Sequence, residues 1–340
     1  MTEAKDIERL DAFMGRANAA YYATRDPFAD FVTAPEISQI FGELIGAWCA
    51  VVMQALGSGV RLVEVGPGRG TLMADMLRVL KRNHSSAGFT VHLVETSSRL
   101  RAAQKQALEG TGISISWHDH VDEVPPGPML LVANEFLDAL PIRQFVRTEE
   151  GWAERFVRKG QWALLPCDDV PPEVAERRVA LEDVVEISPA STAFMRALAK
   201  RFCETPGVAL FIDYGTATSC VGESLQALRD TRPVSALVEP GTADLTAHVD
   251  FASMARAATQ GGARCYGPVE QGALLRSLGA VQRAEALCAA APAQAGMIHS
   301  GLDRLIGPDR MGRLFKALAV VSAGIAPLPG FPEKIWGEQE

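Results

Sequence analysis

The chain has 340 residues, of which 48% are hydrophobic and 22% charged, so it is long enough for one large or two moderate globular domains. A formal net charge of -8 and a pI of about 5.4 are unfavourable for binding nucleic acid or an anionic membrane surface. No apolar run approaches the length that spans a bilayer, and the first residues are neither a secretory signal nor an Arg-rich transit peptide. We therefore expect a cytoplasmic protein without membrane insertion.

The hydrophobic pattern predicts helices that alternate with strands. Apolar residues at helical spacing predict a first helix over 36–56, and further helices are predicted at 71–82, 97–108, 191–203, 250–260 and 270–289. Apolar runs predict strands at 60–65, 89–95, 113–119, 128–136, 207–215, 263–267 and 315–323. The stretch 142–165 alternates and is predicted as a β-hairpin, whereas 216–247 is predicted to be mostly loop. Together they predict an α/β fold, a doubly wound parallel sheet with helices on both faces.

Polar side chains follow five of the predicted strands where each strand ends. In a parallel sheet these carboxyl ends meet at one edge, and ligands bind beyond it. The polar residues are Glu64 with a glycine loop, Glu95, His118 with Asp119, Asn134 with Glu135, and Asp213 with Tyr214.

The glycine loop lies in the stretch VEVGPGRGTLMADML, residues 63–77, and three ligands could require it. A phosphate loop needs Gly-Lys followed by Ser or Thr, but here Gly70 is followed by Thr71. A dinucleotide fingerprint needs its third glycine three positions after the second, whereas here the spacing is that of Gly66, Gly68 and Gly70. Glu64 would be poorly placed beside a pyrophosphate and suits a cationic ligand. The loop therefore favours S-adenosyl-L-methionine, which carries a sulfonium and an ammonium group.

Further residues are predicted to hold this donor. Glu95 can accept hydrogen bonds from both ribose hydroxyls, and His118 and Asp119 would flank the adenine. The remaining predicted donor-binding residues are Thr33, which can also cap the first helix, Glu36, Gln39, Thr71, Thr96 and Asn134.

Several phrases of the sequence resemble one family. They include YYATRDPFADFVTAPEISQIFGELIGAW at 21–48, HLVETSSRLRAAQ at 92–104, VANEFLDALPIRQF at 132–145 and GTADLTAHVDF at 241–251. With the glycine loop, they resemble the MidA-like S-adenosylmethionine-dependent methyltransferases over about residues 20–320. That family includes the mitochondrial arginine methyltransferase that assists assembly of respiratory complex I.

The resemblance implies a class I methyltransferase (Rossmann-like) fold with additional elements and an antiparallel last strand. It implies a donor loop at Gly66, Gly68 and Gly70, a ribose acceptor at Glu95, and Asn134 with Glu135 facing the reacting methyl group. It also implies a protein partner with a target arginine, such as a complex I subunit. Eukaryotic relatives would act in the mitochondrial matrix, and this copy is expected to be bacterial.

Carboxylates are the predicted catalytic groups, because an arginine acceptor is cationic and must be oriented. Glu135 and Asp138 could do this, although Asp138 could instead cap a turn before Pro141. His248 could act as a base or contact the substrate, or it could simply satisfy a loop carbonyl while Asp250 caps a helix. The residues predict no metal site. Two alternatives stay open: methylation of a small molecule or another side chain, and an assembly factor that binds the donor without turnover.

Three parts of the chain are expected. Residues 1–59 form an N-terminal lid and helix, with aromatic and charged residues that either close over the donor or hold the helix to the sheet: Tyr21, Tyr22, Arg25, Asp26, Phe28 and Phe31. Residues 60–141 and 206–340 form the methyltransferase core. Residues 142–205 form an inserted hairpin and helix that give the substrate cleft one wall.

Overall fold

A computed structural model describes residues 7–25, 32–83 and 88–337. In these ranges the strands are β1 (Ile7–Arg9), β2 (Arg61–Val65), β3 (Thr90–Val94), β4 (Ile115–His118), β5 (Met129–Asn134), β6 (Arg143–Thr148), β7 (Gly151–Arg158), β8 (Gln161–Pro166), β9 (Val184–Ile187), β10 (Gly207–Thr216), β11 (Gln226–Arg229), β12 (Arg232–Val234), β13 (Asp244–Thr246), β14 (Val249–Asp250), β15 (Arg264–Glu270) and β16 (Phe315–Val321).

The α-helices of the same ranges are α1 (Leu10–Thr24), α2 (Ala34–Ile37), α3 (Gln39–Leu56), α4 (Thr71–Asn83), α5 (Ser98–Ala107), α6 (Pro172–Ala175), α7 (Pro189–Glu204), α8 (Phe251–Gln260), α9 (Gln271–Ser277), α10 (Ala280–Ala290), α11 (Ala295–Ile306) and α12 (Met311–Leu314).

The central sheet has the strand order β15-β16-β10-β5-β2-β3-β4. Strands β10, β5, β2, β3 and β4 are parallel to one another, and β16 runs antiparallel to both β10 and β15. The predicted parallel strands and the antiparallel last strand are therefore confirmed. This mixed sheet, covered by helices on both faces, agrees with the fold that the sequence resemblance implies.

Two apolar cores cover the two faces of this sheet. Alternate residues of one strand enter different cores, as Leu130 and Leu131 of β5 do. Helices α3, α4, α9, α10 and α11 contribute to the core on one face, and α7 and α8 to the core on the other. By length and a mean hydropathy of 1.4, α3 could cross a membrane, contrary to our expectation that no apolar run is long enough. Its residues are 67% buried, which is typical of a core helix.

Several elements differ from the sequence prediction. The helix predicted at 36–56 is divided into α2 and α3, because the Ser38 side chain accepts a hydrogen bond from the Ile40 N–H and starts a new helix. The helix predicted at 270–289 is divided at Gly279, whose φ is +93°. Helices α11 and α12 were not predicted, and the loop predicted at 216–247 contains the small sheet β12-β11-β13.

A second sheet lies outside the central one. The predicted hairpin at 142–165 has three strands, β6, β7 and β8, and they pair with β1 and β9. Helix α7, predicted within the same inserted unit, packs instead on the central sheet, where Met195, Leu198 and Phe202 join α8 in one core.

Candidate active site

The carboxyl ends of the parallel strands open into a cavity of about 1160 Å³. Pockets for one small ligand typically have roughly 300–1,000 Å³, so this cavity has room for a donor together with part of an acceptor. Most of the predicted site residues line it: Thr33, Glu36, Glu64, Gly66, Gly68, Thr71, Glu95, Thr96, Asp119, Asn134, Glu135 and Asp138. Four predicted residues lie outside its lining: Gln39, Gly70, His118 and His248.

The glycine loop joins β2 to α4. Gly66, Gly68 and Gly70 have φ of +65°, +55° and +86°, which residues with a Cβ rarely adopt. Gly66 lines the cavity, and a Cβ there would lie 3.4 Å from the Phe136 ring. Gly70 instead faces α5, where a Cβ would lie 3.4 Å from the Cα of Gln104. The loop thus presents two glycines to the cavity and uses the third for close packing.

Glu64 ends the apolar run of β2 and is only 3% exposed. Its carboxylate accepts a hydrogen bond from the backbone of Met73, but its Oε2 has no hydrogen-bond partner among the described residues. Burial raises the pKa of Glu64 well above its usual value. Because a buried oxygen without a partner is costly, the site is suited to a ligand that brings positive charge. The sulfonium and ammonium groups of S-adenosylmethionine fit this requirement, and a phosphate does not.

Glu95 follows β3 and has a fixed orientation. Its Oε1 accepts a hydrogen bond from the Ser97 N–H at 2.8 Å, and its Oε2 accepts one from the Gln104 amide at 3.3 Å. Burial raises the pKa of Glu95 despite these donors. A carboxylate held in this way beside the glycine loop is suited to accept hydrogen bonds from ribose hydroxyls.

The start of α2 contacts both the helix that follows the glycine loop and the acidic residue that follows β5. Glu36 accepts a hydrogen bond from the Thr71 hydroxyl at 2.5 Å, and the Ala34 N–H donates to Glu135 at 3.1 Å. Thr33 precedes α2, but its side chain makes no capping hydrogen bond, contrary to the predicted cap. Gln39 begins α3 behind the cavity lining.

Three carboxylates come together where β5 and β10 end. Asp213 is 1% exposed, and its Oδ2 accepts hydrogen bonds from the backbone N–H groups of Phe136, Leu137 and Asp138 at 3.1, 2.9 and 3.2 Å. Glu135, just before these residues, has φ of +52°, which is uncommon for a residue other than glycine. Asp213 therefore stabilises the unusual turn that directs Glu135 and Asp138 into the cavity.

Burial raises the pKa of all three acids. The pKa of Glu135 rises to about 7, that of Asp138 to about 6, and that of Asp213 well above its usual value. Hydrogen bonds from Ala34 to Glu135 and from Tyr214 to Asp138 oppose the shift only in part. Among the described residues, no lysine or arginine forms an ion pair with these acids. The cluster thus favours a cationic ligand.

Two tyrosines donate to carboxylates in the same cavity. The Tyr22 hydroxyl lies 2.9 and 3.0 Å from the two carboxylate oxygens of Asp244, and Tyr214 is hydrogen-bonded to Asp138. Tyr22 was predicted as part of the lid, but its contact with Asp244 was not predicted. Their separation of 222 residues leaves no local pattern that would pair them.

His118 lies outside the cavity lining, so the position predicted for it beside the adenine is not supported by the geometry. Its Nε2 is 2.9 Å from the Nδ1 of His92 on β3. Burial lowers the pKa of both rings, that of His92 to about 4, so the pair is largely uncharged near neutral pH. Asp119 and His120, which follow β4, line the cavity instead.

His248 is exposed and also lies outside the lining. Its ring contacts Tyr214 edge-on at 5.4 Å, and partial desolvation of the ring by its neighbours lowers its pKa although the residue is exposed overall. The Asp250 side chain accepts a hydrogen bond from the Ser253 N–H at 2.9 Å and caps α8, as the alternative interpretation of this segment expected.

Helix α1 and helix α7 form further walls of the cavity. Asn18 and Tyr22 of α1 line it, whereas Tyr21 is fully buried. The other lid residues Asp26, Phe28 and Phe31 lie outside the described residues. Within 142–205 the cavity-lining residues all belong to α7: Ala193, Phe194, Ala197, Leu198 and Arg201.

Comparison with known proteins agrees with this geometry. A family described as "Putative S-adenosyl-L-methionine-dependent methyltransferase" matches residues 44–269. The chain is 34% identical to rat (Rattus norvegicus) "Protein arginine methyltransferase NDUFAF7, mitochondrial", covering 93% of this chain and 84% of the relative. It is 35% identical to the human (Homo sapiens) protein of the same name, and the match covers 88% of this chain and 76% of the human protein.

A solved bacterial structure shows the donor site of a similar protein. This protein, from Burkholderia thailandensis, was crystallised with S-adenosyl-homocysteine, the product that the donor leaves. It is 26% identical to the chain with a TM-score of 0.84, covering 98% of this chain and 92% of the other. The chain therefore belongs to this family of S-adenosyl-L-methionine-dependent methyltransferases and uses S-adenosyl-L-methionine as its methyl donor.

Proposed function

We propose that the chain is a protein arginine N-methyltransferase. The observation that carries the proposal is the pair of carboxylates Glu135 and Asp138, which line the cavity and, among the described residues, form no ion pair with a lysine or arginine. The positive charge of Arg304 offsets only part of the rise in the Glu135 pKa. A guanidinium has five donors in a planar fork and keeps its charge in proteins, so it complements such carboxylates. The names of the rat and human relatives support the same acceptor.

The proposed roles follow from the hydrogen bonds of each residue. Glu64, Gly66 and Gly68 hold the donor on one side of the cavity, and Glu95 accepts from its ribose. Thr33, Glu36, Thr71, Thr96, Asp119 and Asn134 complete the donor side. Gly70 supports the loop from behind, and we assign no donor contact to Gln39, His118 or His248.

The acceptor side uses the carboxylates. When bound, S-adenosylmethionine supplies an electrophilic methyl group on its sulfonium. Glu135 and Asp138 orient the guanidinium of the methyl acceptor. Hydrogen bonds from Tyr22 to Asp244 and from Tyr214 to Asp138 fix these two carboxylates on the acceptor side of the cavity. With a pKa of about 7, Glu135 is ionised at mildly alkaline pH and can accept the proton that the methylated nitrogen releases. The rate should therefore rise with pH through about 7.

The acceptor protein is proposed from the resemblance of the sequence to the MidA-like family. An arginine on a respiratory complex I subunit, or on a similar protein, is the proposed target. The relatives named above are mitochondrial, and action in the bacterial cytoplasm stays a prediction for this chain.

The test is transfer of label from methyl-labelled S-adenosylmethionine into proteins from a strain that lacks the gene. After hydrolysis of the protein to amino acids, we expect label in methylarginine. Asp138→Asn should abolish transfer, whereas Asp168→Asn, which changes an exposed carboxylate, should leave it unchanged.

Other distributions of label would contradict the proposal. Label in small molecules or in another amino acid would indicate a different acceptor. No label, despite donor binding measured by calorimetry, would indicate an assembly factor that binds the donor without turnover.

A further inference from the structure

Gln104 on α5 is fully buried behind the glycine loop, and both ends of its amide are used. Its Nε2 donates to the carbonyl of Gly68 at 2.8 Å and to the Oε2 of Glu95 at 3.3 Å. Its Oε1 accepts a hydrogen bond from the Trp117 indole at 2.9 Å. One side chain thus joins the glycine loop, the acid that follows β3 and a residue of β4.

The partners of Gln104 fix the orientation of its amide. An indole N–H can only donate, so Oε1 must face Trp117. The two hydrogens of the amide nitrogen then point at two acceptors, the Gly68 carbonyl and the Glu95 carboxylate. A methionine would fill the same space without either bond.

The backbone also approaches closely at this point. Position 70 faces Gln104, where a Cβ would lie 3.4 Å from its Cα, and glycine is favoured at this position by its φ of +86°. Gln104 itself does not line the cavity, and it cannot touch a ligand there.

We propose that Gln104 is the positioning residue that sets the glycine loop and the Glu95 carboxylate at the spacing the donor requires. It acts on the donor through Gly68 and Glu95. The inference rests on the proposed role of Glu95 as ribose acceptor, and it does not depend on which molecule accepts the methyl group.

The proposal predicts a change in the pH dependence of binding. Loss of the amide donor should favour the protonated form of Glu95, because one hydrogen bond to the carboxylate disappears. Other charged and titratable groups around Glu95 are Arg101 on α5, His118 on β4 and the cavity-lining side chains of Glu64, Arg69, Asp119 and His120.

The experiment measures binding of S-adenosyl-homocysteine by calorimetry from pH 5 to 8. This product lacks the sulfonium charge, so its binding is less sensitive to the other acids of the cavity. Gln104→Met should weaken binding by about tenfold at neutral pH, in line with loss of a hydrogen bond to a charged group. The pH at which affinity is half lost should move upwards. Gln106→Met, an exposed position of the same helix, should match the unchanged protein.

A second variant covers the case in which Gln104→Met fails to fold. Trp117→Phe removes the donor that orients the amide and keeps an aromatic ring, and it should shift the same pH midpoint upwards by a smaller amount. Wild-type affinity in both variants, or an equal loss at every pH, would overturn the proposal. Glu95→Gln separates the role of Gln104 in positioning from the role of Glu95 in binding the ribose. Wild-type binding in that variant would refute the ribose role itself.

Discussion

Glu135 shows how a single backbone conformation and a buried position combine at this site. Its φ of +52° is maintained by Asp213, which accepts the backbone hydrogen bonds of the next three residues. Burial then raises its pKa to about 7. A strained residue with a shifted pKa in a cavity is typical of a functional group.

The raised pKa of Glu135 predicts a pH-dependent stability change in Glu135→Gln. Between its ordinary value of 4.5 and about 7, the folded protein holds a proton that the unfolded chain releases, so this group destabilises the wild type as pH rises. Glu135→Gln cannot titrate at this position, so its stability does not fall with pH for this reason. Its free energy of unfolding, relative to wild type, should therefore increase by up to about 3 kcal/mol from pH 4.5 to 8.

Urea unfolding at several pH values measures this difference. Glu150→Gln, at an exposed turn, is the matched control and should differ from wild type by less than about 0.5 kcal/mol at every pH. A difference between Glu135→Gln and wild type that does not vary with pH would show that Glu135 titrates normally.

Local sequence could identify some of these residues but not their partners. Glu64, Glu95 and Glu135 were predicted because each lies at or just beyond the end of an apolar strand, and all three line the cavity. The support that Asp213 gives to the turn after β5 could not be predicted, since it depends on β10 lying beside β5. His118 shows the opposite case: a strand-end position suggested the site, yet its ring turns to His92.

Helix α1 belongs to the segment that was predicted as a lid, but in the structure it forms a wall of the cavity. Its Asn18 donates to the carbonyls of Ala139 and Leu245 at 3.0 and 2.8 Å and accepts from the Leu245 N–H at 3.0 Å. These bonds hold the helix against the loop between β5 and β6 and against strand β13. The described part of the predicted lid, α1, is therefore a fixed wall of the cavity.

Asn18→Ala should loosen this wall. The variant leaves the buried N–H and carbonyl of Leu245 and the partly buried carbonyl of Ala139 without their partner, which should lower the free energy of unfolding by about 3 kcal/mol. Exchange of backbone amide hydrogens should become faster in α1, in the loop between β5 and β6 and in β13. Arg16→Ala on the same helix removes an exposed ion pair with Glu8 and a contact with the Phe13 ring, and should cost about 1 kcal/mol or less. Equal exchange in Asn18→Ala and wild type would mean that other contacts hold α1.

The order of the elements was easier to predict than their packing. The parallel strands were recognised because their apolar runs are continuous, as doubly covered strands require. Helix α11 was missed although Ile298, Leu302 and Leu305 have helical spacing, because Gly296 and Gly301 weaken the local preference. The pairing of β1 with β7 joins the N-terminus to the inserted sheet, and no local pattern reports it.

At the scale of the whole molecule, the sheet brings carboxylates from distant segments of the chain, such as Glu64, Glu95 and Glu135, to one cavity that suits a cationic ligand. A ligand that binds only the folded state stabilises it, by about 2.7 kcal/mol at one hundred times its dissociation constant. S-adenosylmethionine should therefore raise the melting temperature by about 4 °C under such conditions. NAD, with a pyrophosphate beside Glu64, should produce no shift. A rise with NAD and none with S-adenosylmethionine would contradict the assignment of the loop.

The most direct test of arginine methylation is quantitative mass spectrometry of the proteome with and without the gene. We predict that at least one methylarginine site disappears in the deletion strain. The site should return when wild-type protein or Asp168→Asn is supplied, and it should stay absent with Asp138→Asn. An unchanged set of methylarginine sites in the deletion strain would contradict arginine methylation as the function of this protein.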